Sequence, residues 1–340
     1  MSESHTINPR HLLKDLSEYA SPRTGRSVWE IVQTVAPFIV LWLAAWAALS
    51  VGYWLTLLLT IPAGLLVLRM FLIQHDCGHG AFFRKRAAND WVGRMVSIFT
   101  FTPYDSWRRA HAKHHASSGN LAQRGTGDVD TLTVSEYRSR SAFGRFRYRL
   151  YRHPLILLGV GPTYLFLLRH RLPLGGMRKG WRPWLSAMGT NTTLALVIGA
   201  VIWAVGWQDF LLVHAPIFLV ATTTGVWLFY VQHQFEGTSW KDGDVWSFHD
   251  AALHGSSHYA LPPVLRWFTA NIGIHHIHHL SSRIPFYRLG EAMKANDGLD
   301  QVSRITLWDS VKAFRLKLWC DETHRMVSFR EAKRMIKAAA

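Results

Sequence analysis

This chain has few cysteines, and its acidic residues are well outnumbered by basic ones. Its two cysteines, Cys77 and Cys320, are too few for a disulfide framework or a four-cysteine iron–sulfur cluster, and neither sits in a haem-attachment pair. No electron carrier is therefore expected to be fused to the chain. Aspartate and glutamate total 22 against 38 lysines and arginines, a formal net charge of +16. That balance would suit a nucleic-acid binder, yet 49 % of the residues are hydrophobic and several long stretches are uncharged. A membrane protein with its basic loops on one side accounts for both facts, so no nucleic-acid partner is expected. No cleavable signal peptide is expected either. The chain is polar to about Trp29, and its first apolar run is long enough to stay in a bilayer.

Residues 32–50, 53–73, 190–207 and 210–231 are apolar over roughly the 20 residues that cross a bilayer core. Val51–Gly52 and Gln208–Asp209 are the expected turns, which makes two helical hairpins. Arg69, near the end of the second stretch, is expected to snorkel to the interface. Residues 155–168, with Gly159, Gly161 and Pro162 inside, and residues 91–103 are too short to span and are expected to be re-entrant or interfacial. Lysine and arginine number 4 in residues 1–32, 19 in 74–186 and 14 in 232–340, with none in either hairpin turn. Four spans put every basic segment on one side, which the positive-inside rule makes the cytoplasm. The expected fold is an all-α integral membrane protein of one domain. Four transmembrane helices in two hairpins carry interfacial helices and a cytoplasmic helical cap over 74–186 and 232–290. Residues 1–30 read as a polar N-terminal segment, and 291–340 as a basic tail of amphipathic helix.

Histidine is what the chain has in excess, with 19 residues. Most lone ones, such as His5, His11, His153, His170, His214 and His324, read as surface or packing residues. Three groups differ. His75 and His79 stand at i, i+4; His111, His114 and His115 at i, i+3, i+4; and His275, His278 and His279 at the same spacing, with His276 between them. On a helix each group lies on one face, close enough to share a metal. Eight imidazoles exceed what one first-row ion accepts, so two metals are expected, and all three groups fall on the cytoplasmic side. Structural zinc closes with four ligands and is redox-inert, whereas imidazole also suits copper, iron and nickel. A metal transporter or haem-binding subunit would place histidines inside the spans, where only His214 lies. A non-catalytic scaffold remains a third reading. No side-chain acid or base removes hydrogen from an unactivated methylene, so an oxidising metal pair beside a bilayer suggests oxygen chemistry on a lipid.

The three groups resemble the histidine boxes of the membrane fatty acid desaturase family. The stretches SGNLAQRGTGDVDTLTVSEY (118–137), FYVQHQFEGTSW (229–240) and NIGIHHIHHLSSRIP (271–285) resemble its bacterial and plant omega-6 (delta-12) acyl-lipid branch. The likeness covers roughly residues 60–290. It implies a di-iron centre, molecular oxygen as co-substrate, and electrons from an external donor such as ferredoxin or cytochrome b5. It also implies a cis double bond placed in a membrane-lipid acyl chain, and a multi-pass protein of the bacterial inner membrane with both termini cytoplasmic. A sister oxidation (hydroxylation, conjugation, acetylenation, or carotenoid ketolation or hydroxylation) would use the same centre. Carried over, His75, His79, His111, His114, His115, His275, His278 and His279 become catalytic iron ligands. His233, at the cytoplasmic end of the last span, resembles the family's additional histidine ligand. His276 faces away and reads as support. Asp76 and Asn271 are candidates to orient ligating imidazoles. Tyr104, Trp107, Trp240 and the glycines at 125 and 127 could line an acyl channel. Basic residues of the cap fit an acidic ferredoxin-like donor, although positive-inside bias explains them equally.

Overall fold

The computed structural model describes residues 9–125, 129–172 and 181–338, so His5 and Gly127 lie outside the described residues. The chain begins with a short helix, α1 (Pro9–Ser17), and then the first hairpin, α2 (Thr24–Ala48) and α3 (Tyr53–His79). α4 (Arg86–Thr100), α5 (Tyr104–Ser117), α6 (Val134–Ser139) and α7 (Ala142–Tyr151) follow. A short apolar helix, α8 (Ile156–Arg169), precedes the second hairpin, α9 (Trp181–Val205) and α10 (Trp207–His233). The remainder runs α11 (Phe248–His254), β1 (His258–Ala260), α12 (Pro263–Phe268), α13 (His275–Leu280), α14 (Phe286–Lys294) and β2 (Arg304–Thr306). It closes with α15 (Leu307–Ala313), β3 (Leu318–Cys320), β4 (Arg325–Val327) and α16 (Phe329–Ala338).

Among the described residues, four helices are long and apolar enough to cross a membrane: α2, α3, α9 and α10. The protein is thus a mostly helical, multi-pass membrane fold. α3 is its centre, packed against α2, α4 and α10. Of its most apolar window 61 % is buried, against 6 % for α9, which stands at the periphery. α4 keeps Trp91, Met95 and Phe99 exposed at four-residue spacing, an apolar stripe suited to an interfacial helix.

Several expectations are corrected. The second hairpin turns at Gly206, not at Gln208–Asp209, which lie in the first turn of α10. Gly206 sits at φ 85°, a backbone region that only glycine enters cheaply. Both α3 and α10 run past the apolar stretch into polar sequence, so His75 and His79 stand on the last turns of α3 and His233 is the last residue of α10. Arg69 does not snorkel. It is buried, paired with Glu30 of α2, and donates to Thr34 Oγ1 at 3.1 Å and to the Trp267 carbonyl. A charge held in an apolar bundle needs a counter-charge and filled donors. Glu30 supplies the first from a segment that reads as polar surface.

The C-terminal tail is not simply amphipathic helix. β2 pairs in parallel with β1 of the cap and fastens the tail onto it, while β3 and β4 form an antiparallel pair within the tail. Leu318, Cys320 and Val327 pack there against Leu132, Tyr137 and Tyr148.

Candidate metal centre

Three helices and the end of a fourth bring nine histidines together. α3 supplies His75 and His79, α5 supplies His111, His114 and His115, α13 supplies His275, His278 and His279, and α10 ends in His233. Their imidazoles fall into two groups, each with its ligand atoms within 4.8 Å of one another. The first holds His75, His79, His111, His115 and His278; the second holds His114, His233, His275 and His279. The groups adjoin, since the His115 and His279 rings stack at 4.1 Å between centroids.

The partition is not by sequence box. In α5 and α13 the i, i+4 pair serves one group and the i+3 histidine serves the other. At about 100° per residue, i and i+4 differ by about 40° around the helix axis, whereas i+3 and i+4 differ by about 100°. One triplet therefore faces two centres at once.

Local backbone holds these helices in place. α13 has only six residues, too few to be stable by itself. It is clamped from outside: the His275 amide donates to the Ser257 carbonyl at 3.1 Å, and the Tyr259 amide to the Gly273 carbonyl at 2.7 Å. A Cβ on Gly273 would stand 2.5 Å from the Tyr259 carbonyl oxygen, so the close approach requires glycine. His276 points away from both groups, and its Nε2–H donates to the Leu299 carbonyl at 2.9 Å. Tyr104 and Trp240 do not face the histidines as channel walls. The Tyr104 hydroxyl lies 2.9 Å from both the Cys77 carbonyl and an Asp90 carboxylate oxygen, pinning α5 to α3 and α4. Trp240 packs with Trp319 and Met326 in the cap. Trp107, by contrast, stacks on His111 at 4.6 Å and abuts His75.

The donor set fits bound metal better than hydrogen bonding. His233 Nε2 lies 3.2 Å from His114 Nε2 and 3.1 Å from His275 Nε2. His115 Nε2 lies 3.1 Å from both His111 Nε2 and His278 Nε2. One imidazole nitrogen carries one hydrogen or one lone pair, so it cannot satisfy two such neighbours. Ligands about 2.1 Å from a shared ion stand about 3.0 Å apart at octahedral edges and about 3.4 Å apart at tetrahedral ones, and the observed spacings fall between. His79 Nε2, His275 Nδ1, His278 Nδ1 and His279 Nε2 are buried without a hydrogen-bond partner among the described residues. Burial, reinforced by neighbouring imidazoles, pushes His111, His115, His275, His278 and His279 well below the usual histidine range. They are neutral, the form that binds metal.

Outer contacts set the ring orientations. His75 Nδ1 donates to Asp76 Oδ1 at 3.1 Å, and Asp76 Oδ2 accepts the Phe286 amide at 2.7 Å. His233 Nδ1 donates to the Gly255 carbonyl at 3.1 Å, with Ser118 Oγ at 3.3 Å, which leaves Nε2 for its group. Among the described residues Asn271 contacts no imidazole in this way; its amide donates to the Phe286 carbonyl at 3.2 Å. Gly255 and Ser118 carry no sequence signal that marks them as partners of His233.

Two adjoining all-imidazole groups at the foot of four membrane-length helices define a class: a membrane oxidoreductase with a histidine cluster suited to metal. Residues 44–309 match the family model described as fatty acid desaturase. A protein of Bacillus subtilis (strain 168) named fatty acid desaturase is 41 % identical over 324 residues, covering 95 % of this chain and 92 % of its own. An sn-1 acyl-lipid omega-3 desaturase (ferredoxin) of Synechocystis sp. is 30 % identical over 249 residues, 68 % of this chain and 64 % of its own. An sn-1 oleoyl-lipid 12-desaturase of the same organism is 28 % identical over 251 residues, 71 % of this chain and 70 % of its own. The chain belongs to the fatty acid desaturase family, and is an oxidoreductase of lipid metabolism.

Proposed function

We propose that the protein is an oxygen-dependent, di-iron acyl-lipid desaturase that places a cis double bond in a membrane-lipid acyl chain, of the delta-12/omega-6 type. The single observation that carries the di-iron reading is the convergence of nine imidazoles into two adjoining groups. The positional reading rests on the stretches 118–137, 229–240 and 271–285. The relatives include proteins named for omega-3, omega-6 and 12-desaturation.

In this reading His75, His79, His111, His115 and His278 hold one iron, and His114, His233, His275 and His279 hold the other. When bound, the iron pair supplies the oxidising power that removes hydrogen from an unactivated methylene at the expense of oxygen. Neutral nitrogen ligands leave that pair more positive than carboxylates would. The protein's own part is positioning. Asp76 and the Gly255 carbonyl fix the rings of His75 and His233. Trp107, Phe71 and Phe166 are in edge contact at 5.2 and 6.1 Å, an aromatic wall running from His111 toward α8. We assign that wall to the acyl chain, with Trp107 its innermost member. Residues 1–340 act as one domain, seated in a bacterial inner membrane with both termini and the histidines cytoplasmic, as the basic loops support. A ferredoxin-type or cytochrome b5-type carrier supplies the electrons.

Fatty acid methyl ester profiles of a host lacking polyunsaturated lipids, with and without the gene, test the reading. A new diene whose second double bond lies at carbon 12 is expected. A hydroxylated product, or an unchanged profile with iron-loaded protein in the membrane, would overturn it.

A further inference from the structure

A groove of about 1010 Å³ opens on the cap between the residues that follow α10 and the C-terminal segment. Its walls carry Arg304, Lys312, Arg315, Lys317, Arg325 and Arg330 against Glu236, Asp309 and Glu331. Two of those acids are already taken: Asp309 by Lys312 at 2.9 Å and Glu331 by Arg325 at 3.1 Å. Arg304, Arg315 and Arg330 are exposed and form no ion pair among the described residues. Lys317 is buried, and its ammonium donates to the Arg152 carbonyl at 2.7 Å. Arg152 beneath it is fully buried, and its bonds go to uncharged groups, among them the Gln234 amide oxygen at 2.8 Å and the carbonyls of Asp130 and Leu316. The fold thus keeps a surplus of cations here that it does not neutralise itself. Burial and the Arg152 charge pull Lys317 down to about 7.

The groove lies next to the end of α10, which carries His233 of the second histidine group. Phe235, Glu236 and Gly237 line it, and they begin two residues past His233. Tyr230, one turn before His233, donates to the Leu316 carbonyl at 2.9 Å and stacks on Phe314 at 5.2 Å. Groove and second histidine group are therefore joined by a short covalent path and by one helical turn.

Desaturation needs such an entry. Converting –CH2–CH2– to –CH=CH– while reducing oxygen to two waters consumes four electrons and four protons. The acyl chain gives two of each, and the other two electrons and two protons come from outside. We propose that this groove is the docking surface for an acidic one-electron carrier protein of ferredoxin type. Two reduced carriers dock in turn, each leaves oxidised, and each passes one electron toward His233 by way of the α10 terminus. The cations are spread over β2, the segment after α15, and α16. That spread suits the extended acidic face of a small protein, and rim charges of this kind govern encounter rate and salt dependence.

The inference rests on the desaturase reading, and one experiment separates the two. Iron-loaded, full-length protein in lipid nanodiscs is assayed with NADPH, ferredoxin reductase and a plant-type [2Fe–2S] ferredoxin, and in parallel with dithionite in single turnover. The variant Arg304→Glu/Arg315→Glu/Arg330→Glu is expected to raise KM for ferredoxin about ten-fold and to lose the salt dependence of that KM. Its dithionite-driven turnover stays at the wild-type level, and the corresponding triple Lys variant keeps the wild-type KM. A ferredoxin KM unmoved by the Glu variant, or a loss that dithionite turnover shares, overturns the docking surface. So does loss of binding to phosphatidylglycerol vesicles with ferredoxin KM unchanged, which would give the groove to a lipid headgroup. Wild-type protein that turns over with neither reductant sinks the desaturase reading instead.

Discussion

Replacing Glu30 by Leu removes the counter-charge from a guanidinium that has nowhere to go. The Glu30 and Arg69 side chains are 1 % and 3 % exposed. Breaking a buried pair from one side costs about 3–5 kcal/mol, because the remaining charge stays desolvated and unpaired. Arg69→Met is expected to cost less, since the orphaned Glu30 still has Arg26 at 2.7 Å. The double variant Glu30→Leu/Arg69→Met exchanges the pair for apolar volume, and such exchanges run from neutral to stabilising. Its stability should therefore lie above that of Glu30→Leu alone, with a coupling energy of about 2 kcal/mol or more. Equilibrium unfolding in mixed detergent micelles, followed by tryptophan fluorescence, measures all four proteins. Strictly additive losses would refute the reasoning. The effect should also reach the metal centre. Arg69 sits over the Trp267 and Phe286 rings at 4.4 and 5.3 Å, and the Phe286 amide holds the carboxylate that orients His75. Glu30→Leu is expected to weaken iron retention during dialysis, and the double variant to do so less.

Gly93→Ala would drive a methyl group into the Tyr104 ring. Overpacking of this kind costs about 1–3 kcal/mol, and the melting temperature should fall with iron content, because Tyr104 pins the helix that carries three of the histidines. Tyr104→Phe keeps the ring and loses the bonds to Cys77 and Asp90; a milder loss, of about 1 kcal/mol, is expected in the same melt. Folded Lys317 releases its proton near pH 7, whereas the unfolded chain holds it to about 10.5. Between those values the unfolded state binds more protons, so this group makes stability climb with pH. Lys317→Met should flatten the dependence of melting temperature on pH between 7.5 and 10, and an unchanged slope would contradict the burial of that ammonium.

The clustering of the histidines was legible in the sequence, because residues at i, i+3 and i+4 lie close together on a helix. Which imidazoles share a centre was not legible. That depends on how α3, α5, α10 and α13 are arranged around one another, and one triplet divides between two groups only when neighbours stand on both sides of it. The four spans were legible from apolar length, but their ends were not. Hydropathy stops at Ile73, whereas the backbone continues as helix until Gly80 enters the left-handed region at φ 70°. Arg69 was misjudged because its partner, Glu30, lies in a different segment, and no local pattern links residues so far apart. Tyr104 illustrates a further limit: an aromatic beside a histidine box suggests a channel wall, and only its hydroxyl partners reveal a structural pin. The strands of the tail are three residues each, below the length at which alternation can be seen.

The most direct measurement is the iron content of purified protein, wild type beside His79→Ala and His275→Ala, each variant touching a different group. The two-group arrangement predicts two irons per chain in the wild type, a loss confined to the first group in His79→Ala, and one confined to the second in His275→Ala. A single iron in the wild type, or variants that both keep two, would contradict it.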